Sequence, residues 1–214
     1  MLGFLHTAAA HVATFEQLLR AADPLVPSRH VVETELLDDA RAAGGVTPEI
    51  ARRVGRAVDD LRASGAQVVL CTCSTIGDAA EAASGDGTTV LRVDRPMAER
   101  AVALGVRIAF VAALESTLKP TAALLQDAAE RSGRRIELTP VLCTEAWPHF
   151  ESGKLDAYYG AIADAAERVA GSHDVVVLAQ GSMGPAAERI ATAVPVLSSP
   201  RLGIEAALRA LRNS

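Results

Sequence analysis

An internal repeat limits what this chain can fold into more than any other feature of its sequence. When the sequence is slid by 107 positions, Gln67–Glu81 (QVVLCTCSTIGDAAE) aligns without a gap with Asp174–Glu188 (DVVVLAQGSMGPAAE), and six of the fifteen positions are identical. At a slide of 106 positions, Gly3–Leu19 aligns with Ala109–Leu125. Two matches in the same order at nearly the same offset indicate a chain built from two related lobes.

Within each copy, short β-rich apolar stretches alternate with longer stretches of helical periodicity, which is typical of βαβ crossovers and mostly parallel sheets. The predicted strands are Leu2–His6, Val31–Leu37, Val68–Cys73, Val90–Val93, Val106–Ala112, Ile136–Leu142, Val175–Ala179 and Val194–Leu197. The predicted helices are Ala13–Ala22, Thr47–Ser64, Ile76–Ala83, Pro96–Leu104, Leu118–Ser132, Lys154–Ala170, Met183–Thr192 and Arg201–Leu211.

The sequence therefore predicts an α/β fold of two pseudo-symmetric lobes, each a roughly four-stranded, mostly parallel sheet flanked by helices. Lobe one is expected to span residues 1–95 and lobe two residues 96–199, with a C-terminal helix in residues 200–214 packing back on lobe one. Parallel sheets of α/β proteins bind ligands at the carboxyl ends of their strands. We therefore expect an active-site cleft between the lobes, lined by corresponding pairs of loops.

Charge and composition exclude several classes of function. A net charge of −5 argues against nucleic-acid binding, and no apolar run approaches the roughly 20 residues of a membrane helix. Three cysteines are too few for a disulfide scaffold, so we expect a cytoplasmic protein with reduced thiols. No zinc motif or glycine-rich phosphate loop is visible, and we predict neither a metal nor a cofactor.

The first pair of loops follows the two repeated strands and leads into predicted helices. Its residues are Cys73, Ser74 and Thr75 in one lobe, and Gln180, Gly181, Ser182 and Met183 in the other. Amide N–H groups and hydroxyls at a helix start suit a carboxylate or a developing enolate. The same position favours the thiolate form of a cysteine. We therefore predict that Cys73 carries the chemistry.

The second pair of loops follows the first strand of each lobe. It contributes His6 and Thr7 in lobe one, and Ser116 and Thr117 in lobe two. Histidine titrates near neutral pH, so His6 is a candidate acid or base. His30 falls in a polar connection, where we expect it to be solvated.

The stretches GAQVVLCTCSTIGDAAEA and HDVVVLAQGSMGPAAE, together with the repeat, resemble the aspartate/glutamate/hydantoin racemase superfamily over essentially the whole chain. The resemblance implies cofactor-independent proton transfer at the carbon next to a carboxylate, with one cysteine from each lobe as acid or base. Cys73 matches the first family cysteine, and Ser74 and Thr75 match the residues that hold the substrate carboxylate. By the same resemblance, Thr7, Ser116 and Thr117 are expected to contact a small carboxylate substrate.

Gln180 stands where the family has its second cysteine, and a glutamine side chain does not exchange protons at neutral pH. His6 or Cys143 is therefore open as the second acid or base. Three other readings stay open: a single-cysteine decarboxylase of the arylmalonate type, a cis–trans isomerase of an unsaturated diacid, and a carboxylate-binding protein without catalysis. Assembly into a homo-oligomer is also open.

Overall fold

The computed structural model describes residues 1–213, and the chain divides into two compact units. The first consists of Met1–Asp94 with the C-terminal segment from Pro200 onward, and the second of Arg95–Ser199. Each unit contains one four-stranded sheet in which every neighbouring pair is parallel. This confirms the predicted α/β fold with two lobes, each built on a parallel sheet.

The first sheet has the strand order β2-β1-β3-β4. Its strands are β1 (Leu2–His6), β2 (Ser28–Val32), β3 (Val68–Cys71) and β4 (Thr89–Arg92). The helices of this unit are α1 (Ala10–Ala22), α2 (Thr34–Ala42), α3 (Pro48–Ala63), α4 (Gly77–Glu81) and the C-terminal α9 (Ser199–Arg212). β1 and β3 lie at the centre of the sheet and are fully buried, as expected for strands covered on both faces.

Local sequence explains why α3 forms where it does. The hydroxyl of Thr47 accepts a hydrogen bond from the amide of Ile50, and Pro48 occupies the first turn, where its missing N–H leaves no bond unmade. Apolar residues then recur on one face of the helix, so that Val54, Val58 and Leu61 are buried.

The two faces of the first sheet are covered by different helices. Phe4 packs with Phe15 of α1 and Ile204 of α9, whereas a side chain at Gly3 would meet Leu61 of α3. Successive residues of a strand point to opposite faces. His6 therefore lies on the α1 face, together with Phe4.

The second sheet has the order β6-β5-β7-β8, which repeats the connectivity of the first. Its strands are β5 (Arg107–Ala112), β6 (Glu137–Leu142), β7 (Val175–Leu178) and β8 (Val196–Ser198). Its helices are α5 (Arg95–Leu104), α6 (Glu115–Arg131), α7 (Trp147–Glu151) and α8 (Leu155–Ala170), with 3-10 helices at Thr144–Ala146 and Gly181–Arg189.

Two of the predicted elements are wrong. The strand predicted at Val31–Leu37 ends at Val32, and residues 34–42 form α2. Leu36, Leu37 and Ala40 are buried on one side of that helix, and three polar residues separate them from the apolar end of the strand. The α-helix predicted at Met183–Thr192 is instead the 3-10 helix Gly181–Arg189, and Pro185 inside it cannot donate an α-helical hydrogen bond.

Among residues 1–213, none of the helices combines the length and the apolar character needed to cross a membrane.

Candidate active site

The candidate residues of the first unit gather at the carboxyl end of its sheet. Thr7 follows β1, and Cys73, Ser74 and Thr75 follow β3, the neighbouring strand. All four are buried, and Cys73 is 8% exposed. The hydroxyls and the thiol predicted from sequence are therefore held at one edge of one sheet, in front of the short helix α4.

The other two cysteines are held as thiols inside the fold. The thiol of Cys71 donates to the carbonyl of Cys73 over 3.6 Å, and burial raises its pKa far above the usual value. The thiol of Cys143 donates to the carbonyl of Ala161 over 3.6 Å, and burial raises its pKa to about 11. Both groups stay protonated at neutral pH, which makes neither of them a ready base.

A buried arginine anchors the loop that carries Cys73. Arg92, at the end of β4, is fully buried and binds both carboxylate oxygens of Asp94 at 2.7 and 3.0 Å. It also contacts Asp78 of α4 and donates to the carbonyl of Ser74 over 3.4 Å. The two carboxylates raise the pKa of the guanidinium despite its burial, so the group stays charged. The arginine thus connects β4, α4 and the Cys73 loop.

Gly77 lets α4 approach this arginine. A Cβ at position 77 would lie 2.8 Å from Nε and 3.0 Å from Cζ of Arg92, and the held guanidinium cannot move aside freely. We therefore expect Gly77→Ala to lower the free energy of unfolding by about 1–3 kcal/mol, as measured by urea denaturation.

Gly55 is the matched control, because it also lies in a helix and a Cβ there meets nothing within 4 Å. Gly55→Ala should raise stability slightly, since alanine favours the helix. Equal effects at both positions would show that the contact with Arg92 does not matter.

His6 is completely buried, and both of its ring nitrogens have partners. Nδ1 lies 2.8 Å from the hydroxyl of Thr72, and Nε2 lies 2.8 Å from Nδ1 of His30. Burial, followed by the neighbouring His11 and His30, lowers the pKa of His6 to about 3. His6 is therefore neutral at physiological pH and belongs to a hydrogen-bond network.

In the second unit, Gln180 ties together the loops after β5 and β7. Its side-chain oxygen accepts hydrogen bonds from the amides of Ala113 at 2.6 Å and Leu114 at 3.3 Å, just before α6. Backbone N–H groups can only donate, so this contact decides which end of the carboxamide is oxygen. The side-chain nitrogen of Gln180 therefore lies on the other side of the carboxamide, and its two N–H donors face away from these amides.

The other predicted site residues of the second unit differ in their surroundings. Ser116 and Thr117 lie in the first turn of α6, and the Ser116 hydroxyl is buried without a partner among the described residues. The hydroxyl of Ser182 lies 2.7 Å from that of the buried Tyr158. Gly181 starts the 3-10 helix, whereas Met183 is wholly buried in the core, so the Met183 side chain serves packing.

Several residues that position the candidate side chains carry little signal in the sequence. The pairing of Arg92 with Asp94 leaves a weak signal, because two charges end a buried strand at positions i and i+2. In the sequence, Tyr158 is one residue of a predicted helix, and nothing there indicates a role at the site. His30 was expected to be solvated, and this is wrong: its side chain is 15% exposed and bonds to His6 and Glu16. Its placement on β2 beside β1 explains the difference. Among residues 1–213, no cluster of three or more His, Cys, Asp or Glu residues could hold a metal ion.

Two parallel four-stranded sheets with the same connectivity are the fold of the Asp/Glu racemases, as comparison with solved structures shows. No protein-family model and no curated protein matches the sequence. The aspartate racemase of Picrophilus torridus is 13% identical, with a TM-score of 0.73 over 97% of this chain and 92% of that one. Glutamate racemase from Thermus thermophilus is 18% identical, with a TM-score of 0.71 over 99% and 80%. Allantoin racemase from Pseudomonas fluorescens is 19% identical, with a TM-score of 0.61 over 100% and 92%. These similarities establish the fold.

Proposed function

We propose that this protein is an enzyme of the Asp/Glu racemase superfamily that transfers a proton at the carbon next to a carboxylate of a small substrate. The observation that carries the proposal is the placement of Cys73, Ser74 and Thr75 together at the carboxyl end of a central parallel strand. The shared fold supports it, since the structural neighbours include aspartate, glutamate and allantoin racemases.

In this proposal the thiolate of Cys73 takes the proton of the substrate's α carbon. The C–H bond breaks, an S–H bond forms, and the electron pair passes into the carboxylate to give an enediolate. Hydroxyls of Thr7, Ser74 and Thr75 hold the carboxylate oxygens in this proposal. Because such a C–H bond is very weakly acidic, hydrogen-bond donors around the developing charge supply most of the rate. The proposed reaction requires no cofactor.

A second candidate is decarboxylation, and the locked carboxamide of Gln180 favours it. Its oxygen is occupied by two backbone amides, so the group offers N–H donors and no exchangeable acid or base. Such a donor stabilises an enediolate but cannot protonate its second face. A single Cys73 thiol would then deliver one proton to one face after the C–C bond breaks and carbon dioxide leaves.

One experiment distinguishes these functions. The protein is incubated in deuterated water with the enantiomers of aspartate and glutamate, with hydantoins, and with malonate and arylmalonates. Deuterium at the α carbon with loss of optical activity supports the racemase. Release of carbon dioxide, with a single product enantiomer wherever the product is chiral, supports the decarboxylase. Binding of these compounds without either reaction would contradict both proposals and leave a carboxylate-binding protein.

Gln180→Cys tests the part played by this residue. A thiol at position 180 should permit proton exchange at a second face, so the variant should gain or increase stereochemical scrambling relative to the unmodified protein. Gln180→Ala is the control, because it removes the same contacts with Ala113 and Leu114 without adding a thiol. Equal scrambling by the unmodified protein and both variants would show that position 180 takes no part in proton transfer.

A further inference from the structure

A continuous chain of hydrogen bonds runs from a helix surface to the residue before Cys73. The Thr72 hydroxyl contacts Nδ1 of His6, Nε2 of His6 contacts Nδ1 of His30, and Nε2 of His30 lies 3.0 Å from a carboxylate oxygen of Glu16. Exposure of the side chains rises along the chain, from the buried His6 to 15% at His30 and 33% at Glu16. Four elements contribute: α1, β2 and the ends of β1 and β3.

The two imidazoles are arranged for proton transfer between them. Their planes are within 8° of parallel, their centroids are 5.1 Å apart, and their facing nitrogens are 2.8 Å apart. The ring of Phe4 lies parallel to His30 at 4.6 Å and to His6 at 5.7 Å. This packing holds both rings in nearly one plane and leaves little freedom to turn away.

Only one arrangement of hydrogens satisfies all these contacts while both imidazoles are neutral. Glu16 is ionised, because hydrogen bonds from Ser28 and His30 lower its pKa to about 2, so Nε2 of His30 carries the proton. Nδ1 of His30 then accepts from Nε2–H of His6, and Nδ1 of His6 accepts from the Thr72 hydroxyl. Every donor therefore points from Thr72 towards Glu16.

A second arrangement of hydrogens holds one more proton and uses a hydrogen bond that the first arrangement does not make. In it His30 is an imidazolium paired with Glu16, and its Nδ1–H donates to His6. Nδ1–H of His6 then donates to Thr72, whose hydroxyl turns to the carbonyl of Leu5, 3.3 Å away. His6 changes tautomer but stays neutral, which agrees with its burial. The added charge lies on the partly exposed His30.

We propose that Thr72, His6, His30 and Glu16 form a proton relay between the strand end that carries Cys73 and the surface of α1. In the outward direction, the S–H bond of Cys73 breaks as an O–H bond forms on Thr72, whose own O–H bond breaks as an Nδ1–H bond forms on His6. The Nε2–H bond of His6 then breaks as an Nδ1–H bond forms on His30. The inward direction reverses each step. The relay rests on the proposed function, because an enzyme with one acidic or basic thiol must reset that thiol's proton after each turnover.

The other titratable and charged groups near His6 do not take over the roles of Thr72, His30 and Glu16. His11 faces His6 from α1 at 6.3 Å between ring centroids, and burial lowers its pKa to about 4, so it is neutral as well. Arg20 of α1 binds the second oxygen of Glu16 at 2.8 Å and holds the carboxylate in place. The ion pair of Glu16 and His30 is therefore the place in this network where an extra proton is best stabilised.

Nitrogen NMR of the full-length protein with 15N-labelled histidine tests the relay without a substrate. As the pH is lowered, His6 should change from the Nε2–H to the Nδ1–H tautomer together with protonation of the His30 ring. Glu16→Gln removes the negative charge and should move this change to lower pH by about one unit. Glu35→Gln, which neutralises an 83%-exposed carboxylate on α2, should leave it in place. The relay would be overturned by double protonation of His6, or by a His6 tautomer that stays the same when His30 is protonated.

Activity provides the second arm. On any substrate found in the deuterium experiment, Thr72→Val should lower kcat and change its pH profile while KM stays the same, and Thr72→Ser should restore both. A purely structural Thr72 would lower stability without changing the pH profile, and that result would overturn the relay while the proposed function stands. If no compound reacts, the proposed function fails, and the NMR arm still decides whether the protons move together.

Discussion

Serine in place of Cys73 is expected to lower turnover by about 10²- to 10⁴-fold, the usual contribution of a positioned acid or base. A hydroxyl is far less acidic than a thiol, so the variant has no group that can take or return the α proton. The two side chains are nearly equal in size, and position 73 is 8% exposed, so the fold should be unchanged. The measurement is deuterium uptake or product formation, with circular dichroism as the check on folding.

Cys71→Ser is the control for this experiment, because it makes the same substitution two residues before Cys73, at the end of β3. Cys71 is fully buried, and its thiol donates to the carbonyl of Cys73, a hydrogen bond that a hydroxyl can also make. The variant should keep most of its activity. Similar losses from both variants, or full activity of Cys73→Ser, would reject Cys73 as the acid or base.

Removing the buried guanidinium is expected to have the largest effect on stability. Arg92→Met leaves the fully buried carboxylate of Asp94 without its bidentate partner, and breaking a buried ion pair in this way costs about 3–5 kcal/mol. The change should appear as a lower midpoint of urea denaturation. Arg52→Met, which breaks the exposed pair of Arg52 with Glu49, should cause no measurable change.

A double variant separates charge from packing. Arg92→Met combined with Asp94→Leu removes both buried charges and should recover part of the stability that Arg92→Met alone loses. A double variant as unstable as the sum of its parts would show that the contacts of Arg92 with Asp78 and the Ser74 carbonyl carry the effect instead. Either result measures how firmly the Cys73 loop is anchored.

Local patterns predicted most of the secondary structure correctly because they report burial directly. β1 is fully buried from Leu2 to His6 and was predicted with those bounds, since a short apolar run can be satisfied in a covered parallel strand. The same rule failed at Val31–Leu37, where two apolar pairs separated by three polar residues belong to the end of an edge strand and to α2. Nothing local distinguishes a buried strand from the buried face of a short helix.

By itself, the sequence determined the class of fold, the two related lobes and the loops that hold Cys73 and Gln180, because the repeat and the periodicity are properties of neighbouring residues. Only the tertiary structure decided how side chains from distant segments orient one another. Gln180 bonds to amides 66 and 67 residues away, and His6 bonds to Thr72 at a separation of 66. Such contacts form when parallel strands bring their carboxyl ends together, so hydrogen-bond direction and tautomer are set by the packed sheet rather than by local sequence.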